Sequence, residues 1–162
     1  MPEMHLTIRP LRDETEARYC AGFLVASEPW ITLGMTFAQA MQRLTNPARE
    51  VLVATTNDQI MGVLILDLTG VLNGYVQILG VHPEWRNRGV GKQLIIWAEN
   101  RIYRQSPNVF LCVSSFNAGA QRFYTRLGYR PVGELHDFLK QGCSEILMRK
   151  TRGSWLDFKP GA

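Results

Sequence analysis

Residues His82-Pro83-Glu84-Trp85-Arg86-Asn87-Arg88-Gly89-Val90-Gly91-Lys92 constrain this chain most, because they join two different hydrophobic periods through a basic, glycine-bearing turn. Upstream, Tyr75 to Val81 alternates as a strand does; downstream, Val90, Leu94, Trp97, Ala98 and Ile102 recur at helical spacing. The turn therefore falls at a helix N-terminus. There the first backbone N–H groups lack partners within the helix and the macrodipole is positive, so main chain can hold a phosphate. Gly89 and Gly91 bring no Cβ against an anion, and Arg86, Arg88 and Lys92 add charge.

Two common phosphate loops fail the test. A P-loop would put glycine at Arg86 and Ser or Thr at Gln93, and a dinucleotide fingerprint would put a third glycine at Leu94. What stands is Arg86-x-x-Gly89-x-Gly91. A second segment adds to it: the strand-like run Asn108 to Ser114, then Asn117-Ala118-Gly119-Ala120-Gln121-Arg122-Phe123-Tyr124-Thr125-Arg126-Leu127-Gly128-Tyr129. Asn117 is placed to cap a helix, Ala120, Phe123, Tyr124 and Leu127 follow helical spacing, and Gly128 ends it. In order and spacing, the two segments resemble the two signatures of the GNAT superfamily of N-acetyltransferases: Arg/Gln-x-x-Gly-x-Gly/Ala, then Asn-x-x-Ala-x-x-Phe-Tyr-x-x-x-Gly-Phe/Tyr. The resemblance covers residues 4 to 150.

Composition sets the outer bounds. A chain of 162 residues, 46% hydrophobic, holds one domain with a proper core. The net charge of +4 suits a polyanionic ligand, yet the basic residues are dispersed and no nucleic-acid motif occurs. Cys20, Cys112 and Cys143 are odd in number and widely spaced, which argues against a disulfide framework or zinc and points to a reducing, cytoplasmic setting. No apolar run approaches the ~18 residues of a membrane span, and no signal peptide is visible, so neither secretion nor membrane insertion is expected. The three histidines show no ligand spacing, so no metal is expected.

Along the chain, His5 to Arg9 reads as a strand, Asp13 caps a helix through about Ala26, Pro29 to Gly34 reads as a loop, and Phe37 to Leu44 as a shorter helix. Val51–Thr55 and Gln59–Leu68 flank Asn57-Asp58 as a hairpin, and two strands near 130–138 and 143–149 close the chain. The order β-α-α-β-β-β-α-β-α-β-β is that of the GNAT fold, an α/β (α+β) domain. The resemblance implies one mixed central sheet, splayed at its fourth and fifth strands, with helices on both faces. The expected division is a domain over residues 1–150 and a loosely attached tail over 151–162.

The resemblance also implies the chemistry: an amine acceptor attacks acetyl-CoA directly in a ternary complex. Arg86, Asn87, Arg88, Gly89, Val90, Gly91 and Lys92 would then hold the pyrophosphate. Leu79 and Val81 would offer backbone groups to the pantetheine arm, an instance of β-augmentation, with the Leu79 N–H polarising the thioester carbonyl. Asn117, Ala120, Phe123 and Tyr124 would border that arm, Phe123 mainly by packing. A phenol with an ordinary pKa of about 10 keeps its proton at neutral pH, which suits Tyr124 as the general acid for the departing thiolate.

A base is harder to place. Where many relatives have a carboxylate on the fourth strand, this chain has Gln77; Glu134 and His136, with Asp137 after them and Glu28 opposite, are the candidates. His82, before Pro83, has a structural role in this reading. An α-amine, with a pKa near 7.7–8.0, needs less help from a base than a lysine near 10.4, which favours a peptide N-terminus or a small amine as acceptor. Glu145 to Lys150 and Pro29 to Gly34 distantly resemble bacterial ribosomal-protein alanine N-acetyltransferases. Two alternatives stay open: a non-catalytic acyl-CoA sensor, and a transferase of a longer acyl group, which a pocket lined by Trp30, Phe37 and Phe138 would either receive or block. Sheet edges in this fold often pair, so a homodimer is also open.

Overall fold

The computed structural model describes residues 4–161. Its sheet is built outward from a two-residue turn. Asn57 and Asp58 take positive φ, 46° and 63°, the pattern of a type I′ turn, and so fold β2 (Glu50–Thr56) back on β3 (Gln59–Asp67). β1 (Thr7–Pro10) adds antiparallel to β2, and β4 (Tyr75–Val81) adds antiparallel to β3. β5 (Asn108–Ser114) runs parallel to β4, as a strand returning through a helix must. β7 (Ser144–Thr151) then inserts between β5 and β6 (Arg130–His136), giving the seven-stranded order β1-β2-β3-β4-β5-β7-β6.

Helices cover both faces, as expected, and each face has its own core. On one side α1 (Glu14–Val25) and α3 (Phe37–Leu44) bury Ala17, Cys20, Leu24, Ala40 and Leu44 against Val53, Val63, Ile65 and Ile78. On the other, α4 (Val90–Ile102) and α5 (Ala118–Arg126) bury Leu94, Ile95, Ala98 and Tyr124 against Leu64, Leu66, Val76 and Leu111. The alternation of β2 and β3 explains why both can form: successive residues point to opposite cores. Beneath α4, Tyr129 is fully buried; its hydroxyl donates to Glu99 Oε1 at 3.0 Å, and Lys150 Nζ lies 2.9 Å from Glu99 Oε2.

The feature that positions the site is an irregularity in β4. Ile65 pairs with Ile78 and Leu66 with Val76, so Gln77 is an extra residue with no partner opposite, a β-bulge. The β4–β5 ladder stops at the same place: only Tyr75↔Phe110 and Val76↔Leu111 pair, and beyond Val76 the strands part. The splay is therefore as expected, whereas simple alternation of Tyr75 to Val81 hides the bulge.

Three expectations need correction. Pro29 to Gly34 is not all loop: Trp30–Leu33 forms a single helical turn, α2, held by Glu28, whose carboxylate accepts from Thr32 N and Oγ1. Four residues are too few to show a period. Strand β6 ends at His136 rather than 138, and β7 runs on to Thr151. Among the described residues, no helix is long and apolar enough to cross a membrane.

Candidate active site between the parted strands

The parting of β4 and β5 opens a cleft of about 280 Å³ that passes through the sheet. One end is bounded by Leu79, Val81, Arg86, Asn117, Ala120 and Tyr124; the other by Glu28, Trp30, Phe138 and Leu139. Gln77, Cys112, Ser114 and Glu145 lie along it.

At the first end, the turn before α4 has the geometry that phosphate binding requires. Asn87 and Gly89 both have positive φ, 60° and 82°, which turns the chain so that α4 starts at Val90. The N–H groups of Val90, Gly91 and Lys92 find no acceptor among the described residues; the first bond closed is Gln93 N to Gly89 O, 3.1 Å. A Cβ on Gly89 would meet nothing within 4 Å, so that face of the turn is open. One on Gly91 would sit 3.6 Å from Phe123 Cζ and from Val81 Cγ2, so the helix start packs closely on β4 and α5. Arg86 Nε donates to Val81 O at 3.4 Å, and the Arg88 guanidinium lies 5.1 Å from the centre of the Trp85 ring. Free amides ringed by Arg86, Arg88 and Lys92 fit a pyrophosphate. His82 accepts from Glu84 N through Nδ1 at 3.2 Å and stacks on Tyr19, so it shapes the turn.

Strand geometry supplies a second row of unused groups. His82 N donates to Met61 O across the β3–β4 ladder, which makes Gly62↔Val81 a non-hydrogen-bonded pair. By alternation the amides of Leu79 and Val81 then turn away from β3, toward a strand with which pairing has already ended.

Asn117 and Tyr124 face this space from α5. Asn117 caps the helix, its Oδ1 accepting from Ala120 N at 3.2 Å. Tyr124 is 8% exposed, its ring edge-on to Phe123 and Tyr129 at 5.0 and 5.6 Å. Burial alone pushes its phenol well above the ordinary value, and its hydroxyl makes no hydrogen bond to a described residue. Phe123 itself supports Gly91 rather than lining the cleft.

Glu134 and His136 are not brought to the cleft. Because β7 inserts beside β5, β6 is displaced to the sheet edge, where the two side chains are exposed, 3.8 Å apart, with His136 bonded to Ser144 Oγ. Asp137 caps its own loop by accepting from Gly142 N. That loop nevertheless reaches the far mouth: Phe138 and Leu139 line it, and Lys140 Nζ donates to Thr32 O at 2.7 Å. Trp30 also lines the mouth, whereas Phe37 lies under Arg18, away from it. The residue that sequence reasoning passed over is Glu145, a buried carboxyl on β7. The one signal for it is an acidic residue inside an otherwise strand-forming run, and without knowing that β7 sits beside β5 that signal is ambiguous.

Fold and cleft together define a class: an α/β protein whose sheet parts between β4 and β5 to leave a narrow cleft beside a helix start with free amides. A family model described as "Acetyltransferase (GNAT) domain" matches residues 26–152, most of the chain, and the protein belongs to that family, whose acyl donor is acetyl-CoA. An acetyltransferase of Pectobacterium atrosepticum is 35% identical over 82 residues, 50% of this chain and 57% of that relative. Among solved structures, an aminoglycoside 6'-N-acetyltransferase complexed with coenzyme A superposes with a TM-score of 0.72 at 18% identity, over 90% of this chain and 96% of the other. A ribosomal-protein alanine N-acetyltransferase from Escherichia coli does so with 0.69 at 16% identity, over 93% and 96%. Likeness at this level speaks for the fold.

Proposed function

We propose that the protein transfers the acetyl group of acetyl-CoA to a primary amine, a peptide N-terminus or a small molecule, by direct attack within the cleft. The observation that carries this reading is one cleft lined by Arg86 of the turn with free amides, by two strand residues whose amides are unpaired, and by a phenol with no partner among the described residues. In this reading Asn87 to Lys92 hold the pyrophosphate, aided by Arg86. Leu79 and Val81 pair with the pantetheine arm, and Asn117 and Ala120 border it. Coenzyme A supplies the activated acyl group, so the protein needs no nucleophile of its own.

The remaining steps belong to side and main chain. The Leu79 N–H steadies the oxyanion as the amine adds. Tyr124, kept protonated by its burial, gives its proton to the leaving sulfur. The test is thiol release from acetyl-CoA against free-N-terminus peptides, lysine peptides, polyamines and aminoglycosides, with Tyr124→Phe beside wild type. Turnover on one acceptor class, lost in the variant, supports the reading. Acetyl-CoA binding without turnover on any acceptor would favour a sensor, and failure to bind acetyl-CoA would end it.

A further inference from the structure

Three buried polar atoms in the cleft have no hydrogen-bond partner of good geometry: Gln77 Oε1 at the β4 bulge, Ser114 Oγ on β5 and Glu145 Oε2 on β7, although the Ser114 hydroxyl stands near enough to the Glu145 carboxylate to lower its pKa. Ser114 and Glu145 face each other in the β5–β7 register and are 1% and 3% exposed. Folded proteins rarely leave buried acceptors unused, because each has given up water for nothing. Here three line one cavity. A carboxylate and an amide oxygen only accept, and a hydroxyl can do so; the group that satisfies all three carries several N–H donors and a positive charge.

Resting on the acetyl-transfer reading, we propose that Gln77, Ser114 and Glu145 seat the acceptor's primary ammonium and that the Glu145 carboxylate takes its proton. Burial raises the Glu145 pKa while the nearby Ser114 hydroxyl pulls it down, so it stands above an ordinary carboxylate and is better matched to a base at neutral pH. The titratable groups nearby are Tyr75 on β4 and Cys112 on β5, both pushed up by burial and hence neutral. Glu28 and Arg43 line the same cleft from the helical side, and β6 sets apolar Leu135 opposite Glu145 in the ladder.

The protons balance. R–NH₃⁺ gives one to Glu145; the free amine forms the C–N bond as the C–S bond breaks, and the nitrogen loses its second proton to water. Sulfur receives one from Tyr124, which is restored from solvent. Glu145 releases its proton to solvent, so each turnover yields amide, free coenzyme A thiol and one net proton.

Glu145→Gln keeps the shape and removes the charge. In protein carrying ¹³C-labelled glutamate, the Glu145 carboxyl signal is assigned by its absence from this variant, then titrated with ethylammonium chloride in the presence of coenzyme A, with ethanol as control. We expect a saturable shift with ethylammonium only, and an apparent pKa that falls by about 1–3 pH units as the cation binds. No response, or an equal response to ethanol, overturns the seat. On the acceptor class found above, E145Q should lose about 10²-fold or more in kcat/KM together with the acid limb of the pH profile, with acetyl-CoA affinity unchanged. Full turnover in E145Q would remove Glu145 as the proton acceptor while leaving acetyl transfer intact. A carboxyl response without turnover by wild type on any acceptor would instead keep the ammonium seat and remove the acetyl-transfer reading. Ser114→Ala should give a smaller loss of the same kind, and an unchanged kcat/KM there would strike Ser114 from the seat.

Discussion

Replacing Tyr124 by phenylalanine should separate catalysis from folding, because the hydroxyl has no partner to lose. The ring contacts at 5.0 and 5.6 Å to Phe123 and Tyr129 survive the substitution. A buried hydrogen bond contributes about 0.5–1.5 kcal/mol, and here none is broken. The hydroxyl opens onto the cleft, so removing it neither breaks a bond nor relieves a sealed polar group, and stability should hold. At this chain length each kcal/mol moves Tm by about 2–4 °C, so calorimetry at pH 7 should find no fall beyond error. Activity should behave oppositely: loss of a general acid lowers the rate by about 10²–10⁴-fold, roughly 3–5 kcal/mol of transition-state stabilisation. Only above about pH 10 should the variant gain on wild type. Burial raises the folded phenol's pKa above its ordinary 10.0, so its contribution to stability is complete below pH 10 and is lost as pH climbs toward the folded value. Phenylalanine has no such loss, and the alkaline decline of Tm should flatten. A clear fall in Tm at pH 7 with thiol release unchanged would refute the reasoning, since it would show a structural hydroxyl and no catalytic one.

The other outcomes concern backbone and charge. Gly74→Ala forces a side chain onto φ +151° with its Cβ 2.6 Å from Asn108 O, so we expect a loss of at least about 2 kcal/mol and a Tm lower by about 4–8 °C in thermal melts. Gly89→Ala meets nothing within 4 Å yet sits at φ +82°, which costs about 1–2 kcal/mol. Gly91→Ala makes only ordinary contacts of 3.6–3.7 Å and should be neutral or stabilising by up to about 1 kcal/mol; melts ranking these two the other way would contradict the turn geometry. Glu145→Gln should raise Tm at pH 7. The raised carboxyl favours the fold below its unfolded pKa, near 4.5, and loses that advantage as pH rises through the folded value, so the gain should vanish in acid.

Much of this was legible in the chain, for identifiable reasons. The turn from Arg86 to Lys92 and the cap at Asn117 declare themselves locally, since glycine spacing, caps and helical periods are properties of a few neighbouring residues. So does the Asn57-Asp58 hairpin. What escaped depends on contacts distant in sequence. The bulge at Gln77 exists only relative to β3, and one extra residue in seven does not visibly break an apolar alternation. Glu134 and His136 are candidates because the sixth strand and its following loop border the acceptor mouth in the fold the chain resembles, yet β7 takes the position beside β5 and only the loop reaches that mouth. The same insertion brings Glu145 to the cleft, so a single topological fact both leaves Glu134 and His136 outside its lining and places another carboxyl within it.

The cleft also explains why this sheet tolerates unpaired strand edges. β5 pairs along its whole length with β7 and β4 along nearly all of its length with β3, yet the two pair with each other at only two positions. Unpaired strand edges usually invite another chain. Here they face one another within the sheet, flanked by β1 to β3 on one side and by β7 and β6 on the other, and not at its outer edge. A thin, amide-bearing ligand can still enter and close the missing bonds, and the pantetheine arm of coenzyme A is such a ligand. The amides of Leu79 and Val81 stay free because pairing with β5 ends at Val76, and Gln77, the bulge residue next to that point, lines the cleft of the proposed amine seat. Donor and acceptor would then meet where the strands part, beside the one extra residue of β4, whose side chain lines the cleft.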